Sequence, residues 1–282
     1  MLWPAAGIHC EEAGATDVAF EPPGMEMPAP HAANAKPKIV ANMAFLIAAS
    51  IALLLPAAGC SSSAPYVTTV GALRPSTTMH VAVANASVNV YAPEVSQRKN
   101  LFTVSATALP KGTPPPAPSV RPVRGGIEVD APDPLSSLLV RVPERSDIVV
   151  RSQQGDISVT DIGGNADVAT QNGSVTLMLN GYAQASIGIG ALSVTMGAVT
   201  WPGTLHFTAQ RGDITLSINP RVACTVHMHT ASGTLFTDFG LSGTSNGSSE
   251  TIDGALGGGG DQRIDMEAVR GSIRLLRLQP QA

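Results

Sequence analysis

The sequence predicts an all-β protein, a β-solenoid or β-helix-like stack of short strands, preceded by an N-terminal signal helix. Three observations support this prediction. Charged residues make up 13% of the 282 residues and aromatic residues 4%, while turn formers are abundant, with 28 Gly and 22 Pro. A five-residue strand motif recurs beyond residue 120. A 17-residue apolar stretch without charge lies nearer the N-terminus.

The apolar stretch, residues 39–55, has the features of a secretory signal peptide. Lys36 and Lys38 form a basic region before it, and small residues follow it up to Cys60. Residues 57–60, Ala-Ala-Gly-Cys, resemble a bacterial lipobox, although Leu is usual at the position of Ala57. The resemblance implies that the Cys60 thiol receives a diacylglycerol and anchors the protein to a membrane. An uncleaved membrane anchor and an ordinary signal peptide cut elsewhere are the alternatives, and all three export residues 61–282.

The chain divides into three parts on this interpretation. Residues 1–59 are an over-extended N-terminus plus the signal peptide, with Met25 or Met27 as the expected initiator because both retain the lysines. Residues 60–64 form a lipidated linker, and residues 65–282 form the β-strand-repeat domain. A Pro-rich excursion at residues 110–120 interrupts this domain.

The recurring motif is Gly, a small or acidic residue, an aliphatic residue, a polar residue and an aliphatic residue. Alternation with period two indicates a strand with one buried and one solvated face, and the leading Gly allows a tight corner. Successive glycines are 30, 18, 17, 22, 21 and 38 residues apart, a period typical of solenoids. We therefore expect each unit to pair with the next and to align its aliphatic residues inside the stack. The seven copies occupy residues 125–129, 155–159, 173–177, 190–194, 212–216, 233–237 and 271–275.

Other short segments complete the predicted domain. Residues 66–70, 79–83, 87–91 and 101–106 alternate in the same way and are predicted strands. We interpret residues 65–109 as the first coils or the cap of the same domain, with a separate small domain as the alternative.

From Gly125 onward the pattern resembles the putative-adhesin family of bacterial β-strand-repeat proteins, formerly a domain of unknown function. The resemblance rests on the order and spacing of residues 139–143, 147–150, 155–157, 170–173, 211–214, 257–260 and 264–267. It implies a β-solenoid-like fold, a location in the cell envelope and no known active site.

We find no convincing catalytic or metal-binding constellation in the sequence, and we expect no enzyme activity and no cofactor. His227 and His229 would share one face of a strand, but the nearest carboxylate in sequence is Asp238, so a third metal ligand is lacking. Asp156 and Asp213 occupy the same motif position, where we expect them to stabilise their own turns.

Four further features of the sequence have structural interpretations. Trp201 with Phe207 forms an aromatic platform for a sugar or, the favoured interpretation, an anchor at a strand edge. Ser245 lies in a Gly-x-Ser-x-Gly pattern that we interpret as a loop, and residues 257–260, four glycines, as a flexible turn. Cys224, between apolar neighbours, is predicted to be buried. His9 and Cys10 precede the expected start and are not interpreted as metal ligands.

These observations favour a membrane-anchored, exported lipoprotein of the cell envelope, periplasmic or on the cell surface, with a solenoid surface for adhesion or binding. The expected partners are the membrane, through the lipid at Cys60, and a glycan or protein of the envelope or the exterior. Nucleic acid is not an expected partner, because residues 60–282 carry 15 basic and 16 acidic residues and so have no basic excess to neutralise phosphates. The alternatives are a self-stacking scaffold, which Arg274 and Arg277 in the last strand and Pro280 after it oppose, and a carbohydrate-active β-helix enzyme.

Overall fold

The computed structural model describes residues 66–74, 77–92, 100–109, 115, 117–131, 133 and 135–279. Within these ranges the protein has 21 strands in two sheets and no helix, so the predicted all-β class is confirmed. No helix in the described ranges is long and apolar enough to span a membrane. The predicted signal helix, Cys60 and the 60–64 linker lie outside the described residues.

The strands are short and follow one another closely. Residues 66–172 form β1 (Tyr66–Ala72), β2 (Thr78–Asn85), β3 (Ser87–Tyr91), β4 (Leu101–Thr107), β5 (Ser119–Val123), β6 (Gly126–Asp130), β7 (Ser137–Arg141), β8 (Asp147–Gln154), β9 (Ile157–Ile162) and β10 (Ala166–Asn172). Residues 175–277 form β11 (Val175–Leu179), β12 (Ala183–Ile189), β13 (Leu192–Met196), β14 (Thr204–Arg211), β15 (Ile214–Ile218), β16 (Cys224–Thr230), β17 (Leu235–Thr237), β18 (Gly243–Asn246), β19 (Ser249–Leu256), β20 (Arg263–Arg270) and β21 (Ile273–Arg277).

Two sheets face each other across one hydrophobic core. Sheet A has ten strands, in the order β1-β4-β7-β3-β9-β11-β13-β15-β21-β17, and sheet B has eleven, in the order β18-β19-β16-β20-β14-β12-β10-β8-β2-β6-β5. From β8 to β15 the chain alternates between the sheets, so that one strand of sheet B and the following strand of sheet A form one coil. Equivalent strands of neighbouring coils pair in parallel; Val175 of β11, for example, lies opposite Ile157 of β9 and Leu192 of β13.

The aliphatic positions of the motif line the interior, as the sequence predicts. In the five copies that begin at residues 155, 173, 190, 212 and 271, both aliphatic side chains are buried. Ile127 and Leu235, in the two copies nearer the ends of the stack, are partly buried and pack against the core. Burying an aliphatic side chain of this size contributes about 1.5–3 kcal/mol before chain entropy is subtracted, so the interior column is the main stabilising feature.

The coils from β8–β9 to β14–β15 stack in sequence order, as expected, but towards both ends of the stack the expectation that each unit pairs with the next is wrong. The last coil, β20–β21, lies between β14–β15 and β16–β17 and pairs in parallel with both. Similarly, β2–β3 lies between β6–β7 and β8–β9. The strand with Arg274 and Arg277 is therefore internal in sheet A, and the end of the stack is formed by β17 and by the β18–β19 hairpin. The argument that these arginines oppose end-to-end stacking does not hold.

A column of glycines lines one corner of the stack. Gly190 has φ +148°, and a Cβ built on it would lie 2.0 Å from the carbonyl oxygen of Gly173 in the preceding coil. A Cβ built on Gly173 would likewise lie 2.1 Å from the carbonyl oxygen of Gly155. The leading Gly of the motif is thus required by close approach between coils as well as by backbone conformation. Gly233 differs, since its φ is not positive while its Cβ would meet Gly271 at 2.0 Å.

The N-terminal strands belong to the same two sheets. The predicted strands at residues 66–70, 79–83, 87–91 and 101–106 are present as β1 to β4, and β2 and β3 pair with β8 and β9. The predicted Pro-rich excursion, residues 110–120, falls largely outside the described residues. Its last two positions already belong to β5, which forms an antiparallel hairpin with β6.

Candidate binding surface

Two aromatic residues considered for sugar binding are buried. Phe207 is fully buried in the core and Trp201 is 5% exposed. The interpretation as an exposed platform is therefore wrong, because β14 turns the Phe207 side chain inward between the sheets. Cys224 on β16 is also buried, as predicted, and burial raises the pKa of its thiol to about 11. A thiol in this state is neutral and a poor nucleophile near neutral pH.

Asp156 and Asp213 lie on the same corner of the stack but connect coils rather than closing their own turns. Oδ1 of Asp156 accepts a hydrogen bond from the backbone N–H of Ser174 at 2.7 Å. Oδ1 of Asp213 accepts one from the N–H of Ser272 at 2.8 Å. The two carboxylates are three coils apart, which is about 14 Å at roughly 4.8 Å per coil. Both residues therefore have a structural role, as predicted, but each carboxylate binds the backbone of a neighbouring coil and not that of its own turn.

Two Gly-rich segments lie near the C-terminus, one in a β-hairpin and one in a turn between strands. Ser245 lies in β18, which pairs antiparallel with β19 around Gly247, so the predicted loop is instead an exposed edge hairpin. The four glycines at residues 257–260 form the predicted turn, between β19 and β20; Gly257, Gly258 and Gly259 have positive φ.

The outer face of sheet B carries a histidine–carboxylate cluster, defined here as His227, Asp265 and Glu267. One donor atom from each residue can be chosen so that all three lie within 4.8 Å of one another. His227 lies on β16, whereas Asp265 and Glu267 occupy alternate outward positions of β20. In the register of the two strands Asp265 is directly opposite His227.

Further polar side chains surround the cluster. Nδ1 of His227 lies 2.7 Å from Oδ1 of Asp253 on β19, and Nδ1 of His229 lies 3.0 Å from Oγ1 of Thr251. On the other side of β20, Nδ1 of His206 is 3.6 Å from Oδ2 of Asp265. The expectation that His227 and His229 lack a nearby carboxylate is therefore wrong.

The sequence alone does not predict this cluster, because its residues lie on strands that are not consecutive in the chain. His227 and Asp265 are 38 positions apart, and they meet only because β20 is inserted between β14 and β16. The alternating pattern Ile-Asp-Met-Glu-Ala at residues 264–268 does place both carboxylates on one face of a strand. What the sequence does not show is that β16, with His227, is the strand that pairs with β20.

An open groove of about 610 Å³ crosses the same outer face, near the carboxyl ends of β2, β8, β10, β12 and β14. Small residues line part of it, which leaves the space open, and amide side chains line another part. Asp130, Arg151 and Ser186 are also in the lining. The small residues are Ala84, Ala169 and Gly188, and the amides are Gln153, Gln171 and Gln210. Amides both donate and accept hydrogen bonds, so this lining suits a ligand with many hydroxyl groups or an extended backbone.

The opposite end of the face is neutralised by a basic residue. Arg121 on β5 forms salt bridges with Glu128 at 2.9 Å and with Asp130 at 2.9 Å. The hydrogen bond from Arg121 lowers the pKa of Glu128 below its usual value, and the same bond raises the pKa of Arg121. His80 lies opposite Glu128 in the β2–β6 pairing. This end therefore has a histidine and two carboxylates, like the cluster, but here Arg121 neutralises the carboxylates.

Comparison with known proteins gives structural matches only. No family model matches the chain, and no curated protein matches it. A putative cell adhesion protein from Clostridium sporogenes aligns at 10% identity and a TM-score of 0.44, over 76% of this chain and 100% of that one. A putative adhesin from Bacteroides fragilis aligns at 9% identity and a TM-score of 0.26, over 76% and 97%. One from Parabacteroides merdae aligns at 9% identity and a TM-score of 0.23, over the same shares. At these values the case for function rests on the residues of this chain.

Proposed function

We propose that this protein is an exported lipoprotein of the cell envelope that uses the outer face of sheet B to bind an extended, hydroxyl-rich polymer such as an envelope or extracellular glycan. The groove near the carboxyl ends of β2, β8, β10, β12 and β14 is the observation that carries the proposal. The proposed role is binding or adhesion and includes no reaction.

The anchoring part of the proposal rests on the sequence before the described residues. The apolar stretch at 39–55 and the Ala-Ala-Gly-Cys ending at Cys60 support export and lipidation. Only a few residues separate Cys60 from β1, so an anchor at Cys60 would hold the stack close to the membrane surface.

Metabolic labelling tests the anchor. Cells expressing the wild-type chain, Cys60→Ala or Cys10→Ala are grown with a fatty-acid analogue, and the label on the purified protein is measured. We expect labelling of the wild type and of Cys10→Ala, and loss of label in Cys60→Ala. Equal labelling of all three proteins would exclude lipidation at Cys60.

A substitution in the groove tests the binding surface. Ala169 is half-buried at the groove, so Ala169→Arg places a long side chain across it. Thr160→Arg, on the outer face of sheet A, is the matched control. Co-sedimentation of the full-length protein with isolated envelope polysaccharide should weaken at least tenfold for Ala169→Arg and remain unchanged for the control. Equal binding by the two variants would show that the groove is not the binding surface.

Self-stacking is a second candidate, favoured by the exposed edge of sheet A. The edge strand β1 leaves Tyr66 69% and Val70 58% exposed, and apolar edge strands promote pairing between chains. At the same end of sheet B, the edge strand β5 carries Arg121 and Pro122, which discourage pairing. Light scattering and negative-stain microscopy of the purified protein distinguish the two candidates, because filaments would support stacking and monodisperse particles would exclude it.

A further inference from the structure

We propose that the histidine–carboxylate cluster binds a divalent transition-metal ion of the zinc type, with His227, Asp265 and Glu267 as its ligands. Imidazole nitrogen and carboxylate oxygen together suit zinc and its neighbours in the first transition row, whereas calcium and magnesium prefer oxygen alone. The site lies on β16 and β20, beyond the strands that line the groove.

The spacing of the three donors is close to that of a bound ion. Zinc binds nitrogen and oxygen at about 2.0–2.2 Å, which places the donors of a tetrahedral site about 3.5 Å apart. The donors here lie within 4.8 Å of one another. The donor atoms must therefore move about 1 Å closer together. Rotation of the side chains can supply this movement, while the parallel pairing of β16 and β20 fixes the backbones.

The hydrogen bonds of the cluster leave one nitrogen and one oxygen atom available to bind an ion. Asp253 holds Nδ1 of His227 at 2.7 Å and a carboxylate accepts there, so a neutral ring in this position donates from Nδ1 and presents the lone pair of Nε2 to an ion. A carboxylate behind a ligating imidazole is the common arrangement in metal sites, since it fixes the ring and its tautomer. Oδ1 of Asp265 is buried and has no hydrogen-bond partner among the described residues. A buried unpaired oxygen is costly, and a cation would satisfy it.

The charge of the cluster also favours a cation. Asp265 and Glu267 lie on one face of β20 two positions apart, and their only ion pair within the described residues is the 3.6 Å contact between Asp265 and His206. Neither carboxylate has the arginine counter-charge that Arg121 provides for Glu128 and Asp130 at the other end of the face. His206 reaches Asp265 from β14 and lies beside the three proposed ligands.

Direct binding of zinc tests the site. The full-length protein, purified without a histidine tag, is titrated with Zn²⁺ against a chromophoric chelator. The same titration is made on His227→Gln, Asp265→Asn and Glu267→Gln. His80→Gln is the matched control, since His80 lies on the same face beside Glu128. We expect a site of micromolar or tighter affinity that weakens at least tenfold in each cluster variant and is retained in the control.

Cobalt gives a second measurement that reports the ligands directly. Co²⁺ at a site with one imidazole and two carboxylates shows visible d–d absorption, which should change in His227→Gln but not in His80→Gln. Zinc bound by residues outside the cluster remains in all the variants and is subtracted. Circular dichroism verifies that each variant is folded. Wild-type affinity in all three cluster variants, or no saturable site below about 1 mM, would overturn the proposal.

Discussion

The glycine column at the corner of the stack gives the most quantitative prediction. Gly190→Ala combines two costs, because φ is +148° and the new Cβ would lie 2.0 Å from the carbonyl oxygen of Gly173. A strained φ costs about 1–3 kcal/mol. Ordinary contact needs about 3.4 Å, so neighbouring coils must separate by more than 1 Å. This separation weakens the hydrogen bonds that join these two coils at the corner, from Gly173 N to Ile189 O at 2.9 Å and from Val175 N to Ala191 O at 2.8 Å.

Two other glycines separate these costs. Gly258→Ala tests backbone strain alone, since φ is +89° and nothing lies within 4 Å of its Cβ. Gly233→Ala tests close approach alone, with Gly271 O at 2.0 Å and no positive φ. With about 0.5–1.5 kcal/mol for each weakened hydrogen bond, we expect losses of about 3–5 kcal/mol for Gly190→Ala, about 1–3 for Gly258→Ala and about 1–3 for Gly233→Ala.

The assay is urea unfolding followed by circular dichroism, with the slope of the transition compared between variants. A loss of 3–5 kcal/mol is a large part of the 5–15 kcal/mol typical of a domain, so the Gly190→Ala transition should move to much lower urea. If Gly190→Ala is no less stable than Gly258→Ala, the close approach between coils does not constrain the corner and the reasoning fails.

Two further predictions concern Cys224 and the corner aspartates. The folded pKa of Cys224, about 11, is above the ordinary value of 9.0, so its contribution is complete below pH 9 and is lost as the pH rises towards 11. The stability of the wild type should therefore fall by about 2–3 kcal/mol more than that of Cys224→Ala across this window, measured by urea unfolding; equal falls would contradict burial of the thiol. Asp213→Ala removes the acceptor for Ser272 N–H at 2.8 Å and should cost about 1 kcal/mol, with Asp213→Asn costing less because it keeps an acceptor. Equal losses in thermal unfolding would contradict the hydrogen-bond role.

The local features of this fold could be predicted from the sequence. Alternation with period two and the leading Gly depend on neighbouring residues, and they correctly placed the aliphatic residues of five motif copies in the core. The burial of Cys224 followed from its apolar neighbours in the same way.

The order of the coils near the two ends of the stack could not be predicted, because parallel pairing there joins strands that are distant in sequence and the copies of the motif are similar partners for one another. The insertion of β20–β21 changed both the end of the stack and the candidate site. The sequence indicates His227 as a potential ligand but not Asp265 or Glu267, because these carboxylates are close to His227 only through the pairing of β16 with β20. The role of Cys60 stays a prediction.

Disulfide cross-linking tests this insertion, on which the proposed metal site depends. Thr215 of β15 lies opposite Arg274 of β21, and Phe236 of β17 lies on the far side of Arg274, with all three side chains on the outer face of sheet A. In a Cys10→Ala background, the pair Thr215→Cys and Arg274→Cys should form a disulfide under mild oxidation. The pair Thr215→Cys and Phe236→Cys should not, because two coils separate these Cα atoms by about 9.6 Å, beyond the reach of a disulfide of about 7 Å. Efficient cross-linking of the second pair and not the first would mean that the coils stack in sequence order and that His227 and Asp265 do not meet.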